Sequence, residues 1–389
     1  MDGSVWEGLL AKAAQVQVPE HLKSRMDRGE KLRVKFGMDP TAPDLHLGHL
    51  VVLDVLRDLQ EAGHTIVIIV GDHTALIGDP SGRSQTRPVL TPQVVEANAR
   101  TYFDQIYKVL DPARTEVHGN SEWLSSMDAA GVLQLMGKAT LQQVLQREDF
   151  AERLRTGSPI GAHEILYPFN QAYDSVAVRA DLEVGGSDQL FNLLFGREIQ
   201  RGYSQEPQDI AVFPLLEGRD GSIKMSKSAG NHIGIAEAPA EIYGKIMSIP
   251  DHLTERYLRL IGRLPSSEVD RLLTLGPRDA KAALALRMVA RLHGEDEAVA
   301  AEEDFRRRFR AREAPQEMED HRPAQPDDLT GTMVEAGLAS SRGEARRLSQ
   351  QGGVRINGEK VTEASFSSFE NSDVLQVGKR RFVRIRLSE

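Results

Sequence analysis

Residues 35–49 read K-F-G-M-D-P-T-A-P-D-L-H-L-G-H. Residues 32–36 run apolar or alternate as a buried strand does, Gly37 with Pro40 and Pro43 breaks the run, and an amphipathic pattern over 47–59 ends at Gly63. The spacing predicts a strand, a tight turn and a helix, with His46, Gly48 and His49 at the helix mouth. A helix N-terminus presents unpaired N–H groups and a partial positive charge, so the junction suits a phosphate. Gly48 lets a ligand come close to the backbone. Residues 65–70, T-I-V-I-I-V, are continuously apolar and β-branched, as in a parallel strand covered on both faces, and complete a βαβ unit. On this stretch alone, a βα unit carrying surface histidines remains an equal reading.

A second signal stands at residues 224–228, K-M-S-K-S, after the turn residues Gly218 and Gly221 and before Gly230. Two lysines three apart in a glycine-flanked loop are mobile point charges able to close over a triphosphate. Together the two stretches resemble the class I aminoacyl-tRNA synthetases, whose first signature matches His46 to His49 and whose second matches Lys224 to Ser228 letter for letter. The resemblance implies an α/β chain with a Rossmann-like parallel-sheet catalytic domain.

The chain has 389 residues, enough for two or three domains. Its formal charge of −9 argues against a wholly basic surface. Residues 329–389 nevertheless hold ten Lys and Arg against seven Asp and Glu, a local +3 that leaves −12 for the rest. A small basic tail on an acidic body is the pattern of an appended nucleic-acid module. The lack of cysteine excludes disulfides and thiolate zinc sites. No protein-held metal is expected, and Mg²⁺ would come with a nucleotide. The first residues form neither a basic nor an apolar leader, and no run of eighteen apolar residues occurs. The expectation is a cytoplasmic protein without a membrane partner.

Residues 71–82, G-D-H-T-A-L-I-G-D-P-S-G, leave the carboxyl end of the second strand, the side on which open α/β sheets bind ligands. Asp79 there is either an Asx-turn or cap residue or a ligand contact. Residues 83–90 are polar and basic, and Arg83 and Arg87 are placed to reach a leaving pyrophosphate. A helix is expected from Thr91 to Leu110, a short strand over 115–118 and helical periods over 124–156. Further on, Tyr167, Gln171 and Asp174 fall at i, i+4 and i+7, on one helix face. A hydroxyl, an amide and a carboxylate aimed the same way suit an amino acid ligand, or else a polar face turned to solvent.

At this helix the sequence resembles the tyrosyl-tRNA synthetase family, whose Tyr-x3-Gln-x2-Asp pattern it matches. The resemblance implies that Tyr167 and Gln171 face the substrate's ammonium and Asp174 its phenol. It also implies Thr74, Asp79 and Gln189 for tyrosine binding, and Gly37, Asp39, Gly48, Gly186, Asp188 and Lys227 for ATP binding. Thr41, His46, His49, Lys224, Lys227, Arg83 and Arg87 would stabilise charge on the departing pyrophosphate. Selection against phenylalanine needs a buried polar partner for the phenol, and this enzyme family is itself the standard example of such discrimination. Two positions depart from the family pattern. Many members carry at Lys35 a tyrosine that also touches the phenol, and at Glu183 a glutamine is common. Neither residue has a role legible in the sequence.

Residues 236–312 are helical in period, with Pro250, Pro265 and Pro277 as separators, and resemble the α-helical domain that class I synthetases set against the anticodon stem. Residues 313–328, rich in Glu, Asp and Pro, read as an exposed linker. Beyond them, S-R-G-E-A-R-R-L-S-Q-Q-G-G-V-R-I-N-G-E-K-V places Arg342, Arg346 and Arg347 on one helix before a Gly-Gly turn, a strand and an Asn357-Gly358 hairpin. This resembles the small α+β S4 RNA-binding domain, whose arginines rest on phosphates.

The implied domains are catalytic at 1–232, with a helical connective insertion at about 120–180 and the signature loop at 222–230, then helical at 233–312, linker at 313–328 and S4 at 329–389. The implied activity is ATP-dependent activation of tyrosine and its transfer to tRNA(Tyr) by a homodimer paired through the insertion. Other readings are a tryptophanyl-tRNA synthetase, which normally lacks the S4 tail, a non-catalytic RNA-binding relative, and an adenylyl transferase acting on a cofactor precursor. The last gives no reason for the helical and S4 regions.

Overall fold

Short apolar runs, of which T-I-V-I-I-V is the most β-branched, supply most strands of the larger sheet, and the connections between them set its order. The computed structural model describes residues 3–40, 44–78, 91–310, 318–378 and 381–387. Thr41, Asp79, Arg83 and Arg87 lie outside the described residues. The chain divides into two units, Met1–Ala301 and Glu302–Glu389.

In the first unit β1 (Gln15–Gln17), β2 (Arg33–Met38), β3 (Thr65–Val70), β4 (Thr115–Gly119), β5 (Leu182–Gly186) and β6 (Asp209–Phe213) lie in the order β1-β6-β5-β2-β3-β4. Strands β2 to β6 run parallel, while β1 closes the β6 edge antiparallel, with Val16 opposite Ala211. The chain leaves β2 toward β3 and β4, then returns to place β5 on the other side of β2. The carboxyl ends of β2 and β5 therefore flank the switch point at which such sheets form ligand sites. Strand β1 was not expected, because Q-V-Q offers one apolar residue and no period.

Helices α1 (Gly3–Lys12) and α2 (Pro19–Asp27) precede β2. Helix α3 (Leu47–Glu61) joins β2 to β3 and is buried over most of its circumference, because the sheet covers one side and a helical layer the other. Helix α4 (Pro92–Ile106) is capped by Thr91, whose hydroxyl accepts the Val94 N–H. It ends four residues earlier than expected. Between β4 and β5 come α5 (Ser121–Leu124), α6 (Ala129–Met136), α7 (Leu141–Val144), α8 (Glu148–Thr156) and α9 (Leu166–Ala177), and α10 (Leu190–Gly202) follows β5. Leu135, Val144, Phe150, Phe169 and Phe195 close a core there, each contributing about 1.5–3 kcal/mol by burial.

The helical layer comprises α11 (Pro239–Met247), α12 (Thr254–Ile261), α13 (Ser266–Thr274) and α14 (Pro277–His293), and α15 (Glu295–Arg310) follows. The break between units at residues 301/302 differs from the divisions expected at 232/233 and 312/313. Asp54, fully buried in the middle of α3, is one reason. Arg291 of α14 donates to its carboxylate, and Nη1 of Arg263 lies 3.7 Å from it. The helical layer is thereby bolted to the helix that starts at the first signature.

The second unit holds β7 (Asp320–His321), α16 (Leu329–Glu335), α17 (Arg342–Gln350), β8 (Val354–Ile356), β9 (Glu359–Lys360), β10 (Val374–Val377) and β11 (Arg381–Ile385). Its sheet runs β7-β11-β10-β8-β9 over a core of Leu329, Met333, Val354, Leu375 and Ile385. Asn357 and Gly358 both have positive φ, 51° and 88°, as the expected two-residue hairpin requires. The stretch expected as linker is in part structural. Strand β7 pairs parallel with β11, the Pro326 carbonyl accepts the Phe369 N–H at 2.8 Å, and Asp328 caps α16 through Gly331. An Asp/Pro-rich stretch reads as exposed because composition reports neither its backbone pairing nor the cap through which Asp328 joins α16.

Candidate active site

Strand β2 delivers Lys35, Gly37 and Asp39 toward the face covered by α9. A Cβ added at Gly37 would meet no atom within 4 Å, so open room lies over the strand at that point. The face of α9 expected from the sequence borders it. At one end the Tyr167 hydroxyl donates to Asp39 Oδ2 at 3.0 Å, and Thr74 Oγ1 donates to Asp39 Oδ1 at 2.8 Å. Gly71 is required beside them, since a Cβ there would fall 1.9 Å from the Asp39 carboxylate. Gln171, one turn along, keeps a buried side-chain oxygen without a partner.

Asp174 closes the other end. From Tyr167 to Asp174 the helix advances about 10 Å. The Asp174 carboxylate is 3 % exposed and accepts the Trp123 indole N–H at 2.8 Å and the Asn120 amide at 3.3 Å. Asn120 also donates to Thr74 Oγ1 at 3.1 Å, so a chain of polar groups runs from Asp39 through Thr74 and Asn120 to Asp174. Burial pushes the Asp174 carboxyl up to about 7, against the pull of Lys35 and the bonds from Trp123 and Asn120. Trp123 and Asn120 were missed in the sequence; Asn120 directly follows β4, at the same carboxyl edge as Asp39.

The signature residues gather at the mouth. His46 is the extended N-cap of α3, and its N–H donates to His49 Nδ1 at 3.1 Å. The same Nδ1 lies 3.3 Å from the His46 carbonyl. The two rings lie 4.0 Å apart, and a Cβ on Gly48 would press on the His46 ring at 3.0 Å. Burial holds His49 down to about 4 and His46 well below its ordinary value, the latter aided by His49, His232 and Lys224. Both are uncharged near neutral pH, so neither ring adds a positive charge to the mouth.

The Leu47 N–H donates to the Ile233 carbonyl at 2.9 Å, which pins the chain after the second signature against α3. Asn231 Oδ1 accepts the Ser226 N–H, and Asp220 accepts the N–H groups of Ser222 and Ile223, which hold its carboxyl far below the usual range. From this braced loop Lys224 reaches Asp188 at 2.9 Å and Lys227 reaches Asp44 at 2.7 Å. A Cβ at Gly186 would sit 2.7 Å from Asp188 Oδ1 and 2.8 Å from Leu215 Cδ2, so a side chain there would displace both. Gln189 accepts from Asn192 at 2.8 Å. Lys35 and Glu183 form a buried ion pair at 2.8 Å beneath the space over Gly37. In the second unit Arg342, Arg346 and Arg347 are exposed on α17, with Arg342 on Asp328 and Arg346 on Glu363.

A histidine-mouthed helix facing a lysine loop across a parallel-sheet switch point defines a nucleotide-activating enzyme of the class I synthetase type. The chain belongs to that family: its profile, described as tRNA synthetases class I (W and Y), matches residues 26–310, and the S4 domain profile matches residues 332–367. The chain is 49% identical over 373 residues to the tyrosine–tRNA ligase of Thermotoga maritima, covering 94% of this chain and 93% of that one. It is 46% identical over 388 residues to the tyrosine–tRNA ligase of Ralstonia nicotianae, covering 98% and 96%. Among solved structures, the truncated mitochondrial tyrosyl-tRNA synthetase of Aspergillus nidulans superposes with a TM-score of 0.68 at 25% identity, covering 79% of this chain and 95% of that one.

Proposed function

We infer that this chain is a tyrosine–tRNA ligase, which activates tyrosine with ATP to tyrosyl-adenylate and transfers the tyrosyl group to the 3′ end of tRNA(Tyr). The observation that carries the choice of amino acid is Asp174, a buried carboxylate on the same α9 face as Tyr167 and Gln171, held by Trp123 and Asn120. The substrate carboxylate is the nucleophile, so the protein supplies no attacking group. Its work is to hold that carboxylate in line with the α-phosphate and to stabilise charge growing on pyrophosphate.

In this reading Tyr167, Gln171 and Thr74 hold the ammonium end, Asp79 and Gln189 are further tyrosine contacts, and Asp174 accepts the phenol O–H. Gly37, Asp39, Gly48, Gly186 and Asp188 make room for and bind ATP. His46 and His49 donate uncharged hydrogen bonds to phosphate, and Lys224 and Lys227 leave Asp188 and Asp44 to follow the pyrophosphate, joined by Thr41, Arg83 and Arg87. Among the described residues no three His, Cys, Asp or Glu side chains cluster to hold a metal. The donor set of histidines, lysines and backbone amides instead fits a Mg²⁺ ion that arrives on ATP phosphate oxygens, where it would neutralise charge.

Arg342, Arg346 and Arg347 would exchange their carboxylate partners for RNA phosphates. Leu133, Leu141 and Leu154, on insertion helices α6, α7 and α8, are 72%, 52% and 56% exposed, which supports a homodimer paired through that insertion. No helix among the described residues is long and apolar enough to cross a membrane, and the setting proposed is the cytoplasm. The test is amino-acid-dependent ATP–pyrophosphate exchange with each of the twenty amino acids, without tRNA. Exchange with tyrosine alone is expected. Exchange with tryptophan alone, or none from a folded sample that binds RNA, would overturn the reading.

A further inference from the structure

Lys35 and Glu183 stand opposite one another on the parallel strands β2 and β5, with side chains 0% and 2% exposed. A buried pair of this kind is rarely kept for stability alone, since desolvation cancels most of its attraction. Its bonds show where it acts. Lys35 Nζ donates to the Gln171 carbonyl at 3.1 Å, to Ser175 Oγ at 2.8 Å and to Glu183 Oε1 at 2.8 Å. An ammonium has three donors, so all are used and none is left for a substrate. Lys35 is therefore not a second phenol contact in place of the family's tyrosine. Glu183 Oε2 accepts from Ser175 Oγ at 3.2 Å and from Gln208 Nε2. The two Lys35 bonds to α9 fall on residues 171 and 175, which bracket Asp174.

We propose that Lys35 and Glu183 are positioning residues for amino acid selection: the pair clamps the Asp174-bearing turn of α9 to the sheet and keeps a cation beneath Asp174, so that this one carboxylate serves as an ionised acceptor for the phenol. The proposal rests on the reading of Asp174 as the phenol contact. The groups facing Asp174 are Lys35 from β2, Glu183 from β5, and Asn120 and Trp123 from the α5 segment, with the His118 ring behind Trp123 at 6.0 Å between Glu116 and Glu122. Of the two charges in the pair, Lys35 acts more strongly on Asp174 than Glu183 does. Neutralising both together should leave Asp174 protonated to higher pH, and a protonated acid no longer accepts the phenol O–H as a carboxylate does.

The test compares the full chain with the double variant Lys35→Met/Glu183→Gln, which leaves no lone buried charge. Lys35→Met alone strands Glu183 and is the variant at risk of not folding. Tyrosine-dependent ATP–pyrophosphate exchange is followed from about pH 6 to pH 9, with phenylalanine in parallel. In the double variant the acid limb of kcat/KM for tyrosine should move upward by about one pH unit, through KM and with kcat at saturating tyrosine little changed, while the phenylalanine profile stays in place. A folded double variant whose tyrosine profile superposes on the parent's overturns the proposal and makes the pair structural only. Equal losses for tyrosine and phenylalanine overturn it as well. Asp174→Asn is the separate check on the underlying reading: if it leaves tyrosine still preferred over phenylalanine, Asp174 is not the phenol contact.

Discussion

Replacing Asp174 by Asn tests whether burial sets its charge state. The folded carboxyl holds its proton to about 7, whereas the ordinary value is 3.8. Between those two values the folded chain binds more protons than the unfolded one at this site, so its contribution to stability is full below about pH 4, falls as pH rises toward 7 and levels off above. Asn cannot titrate, and its amide keeps one acceptor for Trp123 or Asn120 at a pH-independent cost of about 1 kcal/mol. The difference in unfolding free energy, parent minus Asp174→Asn, should therefore fall by about 3 kcal/mol between pH 5 and pH 8. Other titrating groups cancel in that difference. The chain has two tryptophans, Trp6 and Trp123, so a Trp6→Phe background leaves the one that bonds Asp174 as the fluorescent reporter for urea unfolding. The same signal, read without urea, should titrate near pH 7 in the parent and stay flat in Asp174→Asn. A stability difference constant within about 0.5 kcal/mol across the range would refute the argument, and with it the picture of a dry, closed end to the pocket.

His49→Ala and Lys227→Ala should each slow adenylate formation with little change in tyrosine affinity, measured by pre-steady-state kinetics and equilibrium dialysis; weak tyrosine binding with normal chemistry would reverse their roles. Removing residues 329–389 should leave pyrophosphate exchange intact and cripple aminoacylation, whereas equal loss of both would make that segment structural. Asp54→Ala should destabilise the first unit by about 2–3 kcal/mol in urea, below the 3–5 expected of a fully buried broken pair because Arg291 and Arg263 are 20% and 27% exposed and water screens part of the loss.

Much of the fold was legible because the informative stretches are periodic. Thr65–Val70 is the strand its β-branched run implied, and Tyr167, Gln171 and Asp174 share the helix face their spacing implied. Both signatures meet at one mouth, as their resemblance required. The unread parts are those whose meaning depends on a distant partner. Lys35 and Glu183 look like errors in two apolar strands until the register sets them side by side. Trp123 and Asn120 lie in a stretch with no period, and only the turn after β4 aims them at Asp174. Asp54 reads as a polar residue on an amphipathic helix, and its burial follows from arginines more than two hundred residues away.

Strand β1 sets a condition on synthesis. It is made nearly two hundred residues before its partner β6. At about 5–20 residues per second that is a wait of roughly 10–40 s. When β6 finally emerges, its outer row of N–H and C=O groups meets a strand already at hand, so that edge passes to the three-residue β1, with β4 as the opposite edge. A chain begun after residue 18 would keep the residues of the site but would leave β6 as the edge strand, with its outer N–H and C=O groups unpaired, and its yield of soluble protein would depend on how crowded the neighbouring chains were.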